Sequence, residues 1–321
     1  MQIIENQEKL SEFLREFHLS DSIVIPIFSD HKAHPKINEL YLIYVYLISS
    51  DKSYIIPFNT DDCINIDHLD IKKILMHISN KSTMKYVLDK KTMYHVYEEY
   101  SEDIDDKFID IRVLEYISNG KIENNILETI TTPAHNFIYY KFYKFSELNK
   151  CISIHKHIEK LDLITEHILV ILEKYKLNYT LESFKKINNI MIKVLYNLER
   201  SGIYVDESFI RQDLVKNDLV FGDYNLFTLT NRPVCNSNGY NFSAINKTDG
   251  SRKSIISRFG IKGELLMLDY NSYHIYLIAD IIGETFPENP HTYLAKLYLN
   301  KENISQEEYE QCKEITFNII Y

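Results

Sequence analysis

Ile23-Val24-Ile25-Pro26-Ile27-Phe28, Leu40-Tyr41-Leu42-Ile43-Tyr44-Val45-Tyr46-Leu47-Ile48 and Tyr54-Ile55-Ile56-Pro57-Phe58 are the runs whose reading decides the fold. Each is rich in β-branched and aromatic residues and is bounded by polar, turn-prone segments, which is the composition of strands. Three such runs close together along the chain predict an antiparallel meander.

Outward from the meander, Ile71 to Ile78 and Lys90 to Glu99 carry helical patterns, and Met84-Lys85-Tyr86-Val87-Leu88 between them reads as a further strand. A meander followed by alternating helix and strand is the order of an RNase H-like sheet. From Ile154 to Lys176 and from Leu181 to Arg200 apolar residues recur at helical spacing, with Leu161, Ile164, Ile168 and Ile171 on one stripe. Ser201-Gly202 ends the second helix, because glycine takes the left-handed conformation there. Nearer the carboxyl end, Gly263-Glu264-Leu265-Leu266-Met267-Leu268 has a buried-strand pattern that delivers Asp269 to a strand end, and an apolar helix from Ser272 to Ile282 closes at Gly283. Ser305-Gln306-Glu307-Glu308 is a capping start. On the helix it opens, Tyr309, Lys313, Phe317 and Tyr321 recur every four residues and share a face.

At 321 residues the chain exceeds one comfortable core, and a prior of about 150 residues per domain suggests two units. Only 8 glycines and 7 prolines, with 45% hydrophobic residues, exclude a disordered or repeat-based chain. The net charge of −10 leaves no chain-wide basic field. It does not exclude a nucleic-acid partner, since basic groups are needed only where phosphates run. The four cysteines form no CxxC pair, so neither a disulfide framework nor a zinc knuckle is legible, and Cys151, His155 and His157 read as isolated residues at a turn and helix start. The amino terminus lacks a signal-peptide pattern, and the longest apolar run is too short to span a bilayer. The expectation is a cytoplasmic protein with no membrane partner.

Several short motifs resemble family A DNA polymerases. Leu268-Asp269-Tyr270-Asn271-Ser272-Tyr273-His274-Ile275 is similar to that family's motif A, and Lys313-Glu314-Ile315-Thr316-Phe317-Asn318-Ile319-Ile320-Tyr321 is similar to motif B. Thr228-Leu229-Thr230-Asn231-Arg232-Pro233 resembles Thr-x-Thr-Gly-Arg-Leu, His291-Thr292 resembles the His-Thr step between motifs A and B, and Leu198 to Asp206 resembles the segment that leads into the thumb. The matches fall in the family's order. The resemblance implies that Asp269 is the catalytic carboxylate and Mg²⁺ ligand of a two-metal site. Lys313, Phe317, Tyr321, His274, Arg232 and His291 would then meet the nucleotide, and primer–template DNA and deoxynucleoside triphosphates would be the partners. Tyr309 stands where the family has arginine, His274 where it has glutamate and Tyr276 where it has arginine. The segment between Asp206 and Thr228 is short for a thumb.

The first domain resembles a 3′–5′ exonuclease domain by position and strand order. Its Asp-x-Glu motif corresponds to Ser29-Asp30-His31-Lys32, with lysine in the glutamate's place, and Tyr86-Val87-Leu88-Asp89 stands for the second motif. The nuclease site therefore reads as degraded, with Asp30, Asp89 and Asp110 structural.

The fold expected is α/β (α+β): an RNase H-like, exonuclease-like domain over 1–153, connecting helices and a reduced thumb over 154–223, and a partial palm with the start of the fingers over 224–321. The chain stops inside motif B, ahead of the His-Asp-Glu motif that carries the other metal-binding carboxylate. It is read as an amino-terminal fragment, of a phage or viral type by its Ile-, Lys-, Asn- and Tyr-rich composition, inactive without a carboxyl-terminal segment. A 3′–5′ exonuclease and a non-catalytic DNA-binding fragment are the alternatives.

Overall fold

The structure, a computed structural model, describes residues 1–28, 34–60, 63–79, 82–100, 104, 106–118, 154–206, 215–227, 233–235, 241–242, 245, 251–266, 268 and 270–320. Two compact units divide the chain, Met1–Gly260 and Ile261–Tyr321.

The first unit opens with β1 (Gln2–Ile3), α1 (Gln7–Phe17), β2 (Ser22–Phe28), β3 (Leu40–Leu47), β4 (Lys52–Pro57), α2 (His68–Ile78), β5 (Lys85–Val87), α3 (Lys90–Glu99), β6 (Phe108–Asp110) and α4 (Ile111–Ser118). The strands form one six-stranded mixed sheet in the order β1-β4-β3-β2-β5-β6. The predicted meander is its centre: β3 pairs antiparallel with β2 (Val24 opposite Val45) and with β4 (Tyr44 opposite Ile55), while β5 joins β2 in parallel and β6 joins β5.

Five successive residues of β3, Tyr41 to Val45, are buried. An unbroken buried run requires both faces of the sheet to be covered. Phe13 of α1 packs against Tyr54 at 5.0 Å between ring centroids. Elsewhere Tyr44 Oη shares a 2.9 Å hydrogen bond with Thr165 Oγ1, on the helix α5 (Ile154–Tyr175). The stripe predicted for α5, Leu161, Ile164, Ile168 and Ile171, is buried. Each fully buried aromatic or aliphatic side chain contributes about 1.5–3 kcal/mol, so these layers dominate the unit's stability.

After α5 the chain runs through α6 (Glu182–Lys185), a π-helical stretch Lys186–Met191, and α7 (Ile192–Arg200). The π turn carries buried Asn188, whose Nδ2 donates to Phe108 O at 3.0 Å while its Oδ1 accepts from Asp110 N at 2.9 Å. A side chain thus satisfies the open edge of β6, the last strand of the sheet. Gly202, at φ +58°, turns the chain out of α7 as expected. It leads into β7 (Ile203–Tyr204), which joins β8 (Val215–Lys216) and β9 (Leu219–Val220) in a small sheet of order β7-β9-β8. Asn217 and Asp218, both at positive φ, make the two-residue β8–β9 turn. A two-stranded pair, β10 (Tyr224–Asn225) and β11 (Val234–Cys235), follows.

The second unit holds α8 (Tyr273–Ile282), α9 (Pro290–Leu299) and α10 (Gln306–Ile320). The expected ends are present. Gly283 closes α8 at φ +74°, and Ser305 and Glu308 cap α10 reciprocally, Glu308 N to Ser305 Oγ at 3.2 Å and Ser305 N to Glu308 Oε2 at 3.0 Å. Asn289 Oδ1 caps α9, with Pro290 in its first turn. The core is small, made by Ile275, Ala279, Pro290, His291, Ala295, Cys312 and Thr316.

The buried strand expected over Gly263 to Leu268 is not found. Residues 263–266 are irregular, and Leu265, Leu266 and Leu268 are exposed at 59%, 83% and 83%. A strand is stable only when a neighbour takes its backbone hydrogen bonds and covers a face. Among the described residues of this unit there is no strand to pair with.

Candidate functional site

In the second unit, residues distant in sequence line one cleft of about 490 Å³: Tyr270 to Ile275 at the start of α8, Asn289 and His291 at the start of α9, and Tyr309, Lys313, Phe317 and Ile320 on α10. The i, i+4 spacing of Tyr309, Lys313 and Phe317 aims all three the same way. His291 is buried between them, its ring 5.5 Å from Phe317 and 6.2 Å from Tyr309, and its Nδ1 has no hydrogen-bond partner. Burial, reinforced by the charge of Lys313, pushes the His291 pKa down and keeps the imidazole neutral. Lys313 Nζ lies 5.7 Å from the Tyr309 ring centroid and 3.6 Å from Glu310, with its side chain 34% exposed, so its charge remains open to a ligand. His274 is exposed at the cleft. Asp269, Tyr321, Arg232 and Asp30 lie outside the described residues, as do Cys151 and the side chains of His155 and His157.

Asp89 and Asp110 stand side by side at the carboxyl ends of the parallel strands β5 and β6. Both are already engaged. Asp89 Oδ1 caps α3 by accepting from Thr92 N at 3.2 Å, and Asp110 accepts from Lys90 N and Arg112 N at 2.9 Å and Val113 N at 3.2 Å. Arg112 Nη2 lies 2.7 Å from Asp89 and 3.4 Å from Asp110. Burial raises the Asp89 pKa, but the charges of Arg112 and Lys91 and the Thr92 N–H outweigh it and hold the carboxyl below its ordinary value.

No protein-family model matches the chain, and no curated protein matches it. Among solved structures, the POL domain of Pol1 from M. smegmatis, in complex with DNA primer-template and dNTP, is similar with a TM-score of 0.64 at 10% identity, over 99% of this chain and 71% of that one. The chain shares that domain's fold. Escherichia coli RNase D, an exoribonuclease involved in structured RNA processing, aligns over 61% of this chain and 50% of its own at 12% identity and a TM-score of 0.34. Among the described residues no helix is long and apolar enough to cross a membrane.

Sequence reasoning missed a buried polar cluster in the first unit. His34 precedes a 3₁₀ turn (Pro35–Ile37), Lys91 and His95 lie on α3, and Glu199 lies in the last turn of α7. Glu199 Oε1 accepts from Lys91 Nζ and from Tyr224 N, both at 2.6 Å, and Oε2 lies 3.0 Å from His95 Nε2 and 3.6 Å from His34 Nε2. Lys91 also reaches Asp223 at 2.6 Å. Burial alone would lower the Lys91 pKa; the carboxylates of Asp223, Glu199 and Asp89 raise it above its ordinary value. The only local sign in the sequence is the i, i+4 spacing of Lys91 and His95, because the other partners come from distant segments.

Proposed function

We propose that the chain is part of a family A-type DNA polymerase and binds a deoxynucleoside triphosphate in the cleft of α8, α9 and α10, the nucleotide-holding share of template-directed transfer onto a primer. The observation that carries this reading is the convergence of His274, His291, Lys313 and Phe317, named from separate sequence motifs, on one cleft. The shared fold supports it. Lys313 would neutralise the triphosphate, His291 would donate its ring N–H to a phosphate oxygen, and the ring of Phe317 would pack on sugar or base. Asp269 is the proposed catalytic carboxylate, and Tyr321 and Arg232 are proposed further contacts to the nucleotide or primer. Residues 1–153, 154–223 and 224–321 would serve as exonuclease-like platform, connecting helices and partial palm, in the cytoplasm.

Mg²⁺ is the ion that supplies charge neutralisation in this chemistry. The described residues of the cleft offer imidazole, amide, hydroxyl and ammonium groups but no carboxylate, and hard Mg²⁺ takes carboxylate and phosphate oxygens. They do not fit the ion by themselves. Nucleotide binding, rather than primer extension, is therefore the activity these residues support.

Titrating a deoxynucleoside triphosphate into the purified chain, followed by calorimetry, tests the reading. Removing a charge-assisted contact worth roughly 1.5–3 kcal/mol, Lys313→Ala should weaken binding about 10- to 100-fold. Equal affinity of the two proteins would remove the cleft from the nucleotide's path.

A further inference from the structure

We propose that His34, His95 and Glu199 form a binding site for a divalent transition-metal ion of the zinc class, separate from the nucleotide cleft. The three side chains come from three segments of the first unit, are 2%, 5% and 1% exposed, and bring one ligand atom each to within 4.8 Å of the others. Donors around a shared zinc ion, each about 2.0–2.2 Å from it, stand roughly 3.3 Å apart in tetrahedral geometry. The observed separations from Glu199 Oε2, 3.0 Å to His95 and 3.6 Å to His34, straddle that value.

The division of labour on Glu199 favours an ion. Lys91 and Tyr224 N fix Oε1, so the carboxylate is held in orientation by outer partners, as metal-ligating carboxylates are. Among the described residues Oε2 is approached only by the two imidazoles. Lys91 is shared with Asp223, so one ammonium serves two carboxylates, and negative charge is left facing the histidines. His34 Nε2, although buried, has no hydrogen-bond partner. Phe221 stacks on His34 at 5.5 Å, and Tyr196 packs edge-on against His95 at 5.0 Å, which holds both rings in place.

Two imidazoles and one carboxylate suit zinc and its neighbours in the transition series, and they suit Mg²⁺ or Ca²⁺ poorly. Ligation exchanges two contacts: the ion takes the place of the 3.0 Å hydrogen bond from His95 Nε2 to Glu199 Oε2, with the His95 ring proton moving to Nδ1, and His34 gives up one backbone bond. His34 Nδ1 accepts from Lys36 N at 3.1 Å, and binding through Nε2 moves the ring proton to Nδ1 and releases that bond at a partly exposed turn.

The test uses the full chain, stripped with a chelator and titrated with Zn²⁺ and, for its visible spectrum, Co²⁺. One equivalent should bind, raise the melting temperature and give ligand-field bands with Co²⁺. His95→Ala and Glu199→Gln should each weaken binding at least tenfold, whereas His77→Ala should not. His77 makes a 3.0 Å contact with His18 at the surface and is the competing histidine pair. If Glu199→Gln fails to fold, His34→Gln tests the same site through a side chain that bonds one backbone amide of a short turn. Absence of a bound equivalent and of visible bands in the folded chain would overturn the proposal, and so would binding that survives loss of His34 or His95 or is lost with His77.

Discussion

Arg112 holds Asp89 across the first turns of two neighbouring helices, with Nη2 2.7 Å from Oδ1. The same guanidinium nitrogen reaches Asp110 at 3.4 Å, so a fixed cation stands beside the two carboxylates at the strand ends. A nuclease built on this sheet would need those oxygens free for metal ions. Arg112→Ala should therefore destabilise the protein without creating nuclease activity. The loss is expected at roughly 2 kcal/mol, below the 3–5 kcal/mol of a fully buried pair, because Asp89 is partly exposed and Asp110 keeps its backbone donors. Chemical denaturation gives the stability. Metal-dependent degradation of a labelled oligonucleotide by the variant would contradict the reading.

Gly202 carries a second prediction. At φ +58° an L side chain is strained, and a Cβ there would lie 2.9 Å from Phe221 Cε1 and 3.2 Å from Leu219 Cβ. Phe221 is itself stacked on His34 and has little freedom to retreat. Gly202→Ala should cost about 2–3 kcal/mol from the two effects together. In a unit of this size that lowers Tm by roughly 5–10 °C. An unchanged melting curve would mean that the turn relaxes without consequence.

At the start of α10, the reciprocal bonds between Ser305 and Glu308 satisfy two backbone donors, and Lys301 pairs with the same glutamate. Ser305→Ala removes one of these bonds and should cost about 1 kcal/mol, felt as local opening of the first turn. Amide exchange at Glu308 should quicken about fivefold. If protection there is unchanged, solvent replaces the cap without loss.

The sheet was legible because β2, β3 and β4 are dense in β-branched and aromatic residues, a signal carried by each run alone. The ends of α7, α8 and α10 were legible from Gly202, Gly283 and Ser305, where local backbone chemistry decides. What sequence reading lost was non-local. Leu265 and Leu266 have a strand's composition, yet without a pairing partner they are exposed and irregular. The Glu199 hub draws on residues 34, 91, 95, 199, 223 and 224, and no spacing rule joins them. The cleft lies between these cases: the i, i+4 face of Lys313 and Phe317 is readable, while its meeting with His274 and His291 depends on how three short helices pack.

His274 gives the most discriminating prediction for the cleft. It lies at the first turn of α8, exposed, beside Tyr273 at 5.7 Å between rings, and lines the cleft with Lys313 and Phe317. In the motif it resembles, this position carries a glutamate beneath the sugar. An imidazole there would fill the space that a 2′-hydroxyl needs, so a deoxynucleotide should bind the wild-type chain more tightly than its ribonucleotide counterpart. His274→Ala opens that space and should narrow the preference, chiefly by improving ribonucleotide affinity. A side chain that only packs on α8 predicts something different: lower stability and an unchanged ratio. Titrating both nucleotides into both proteins, with thermal melts of each, separates the two outcomes, and a ratio that does not move would take His274 out of the sugar site.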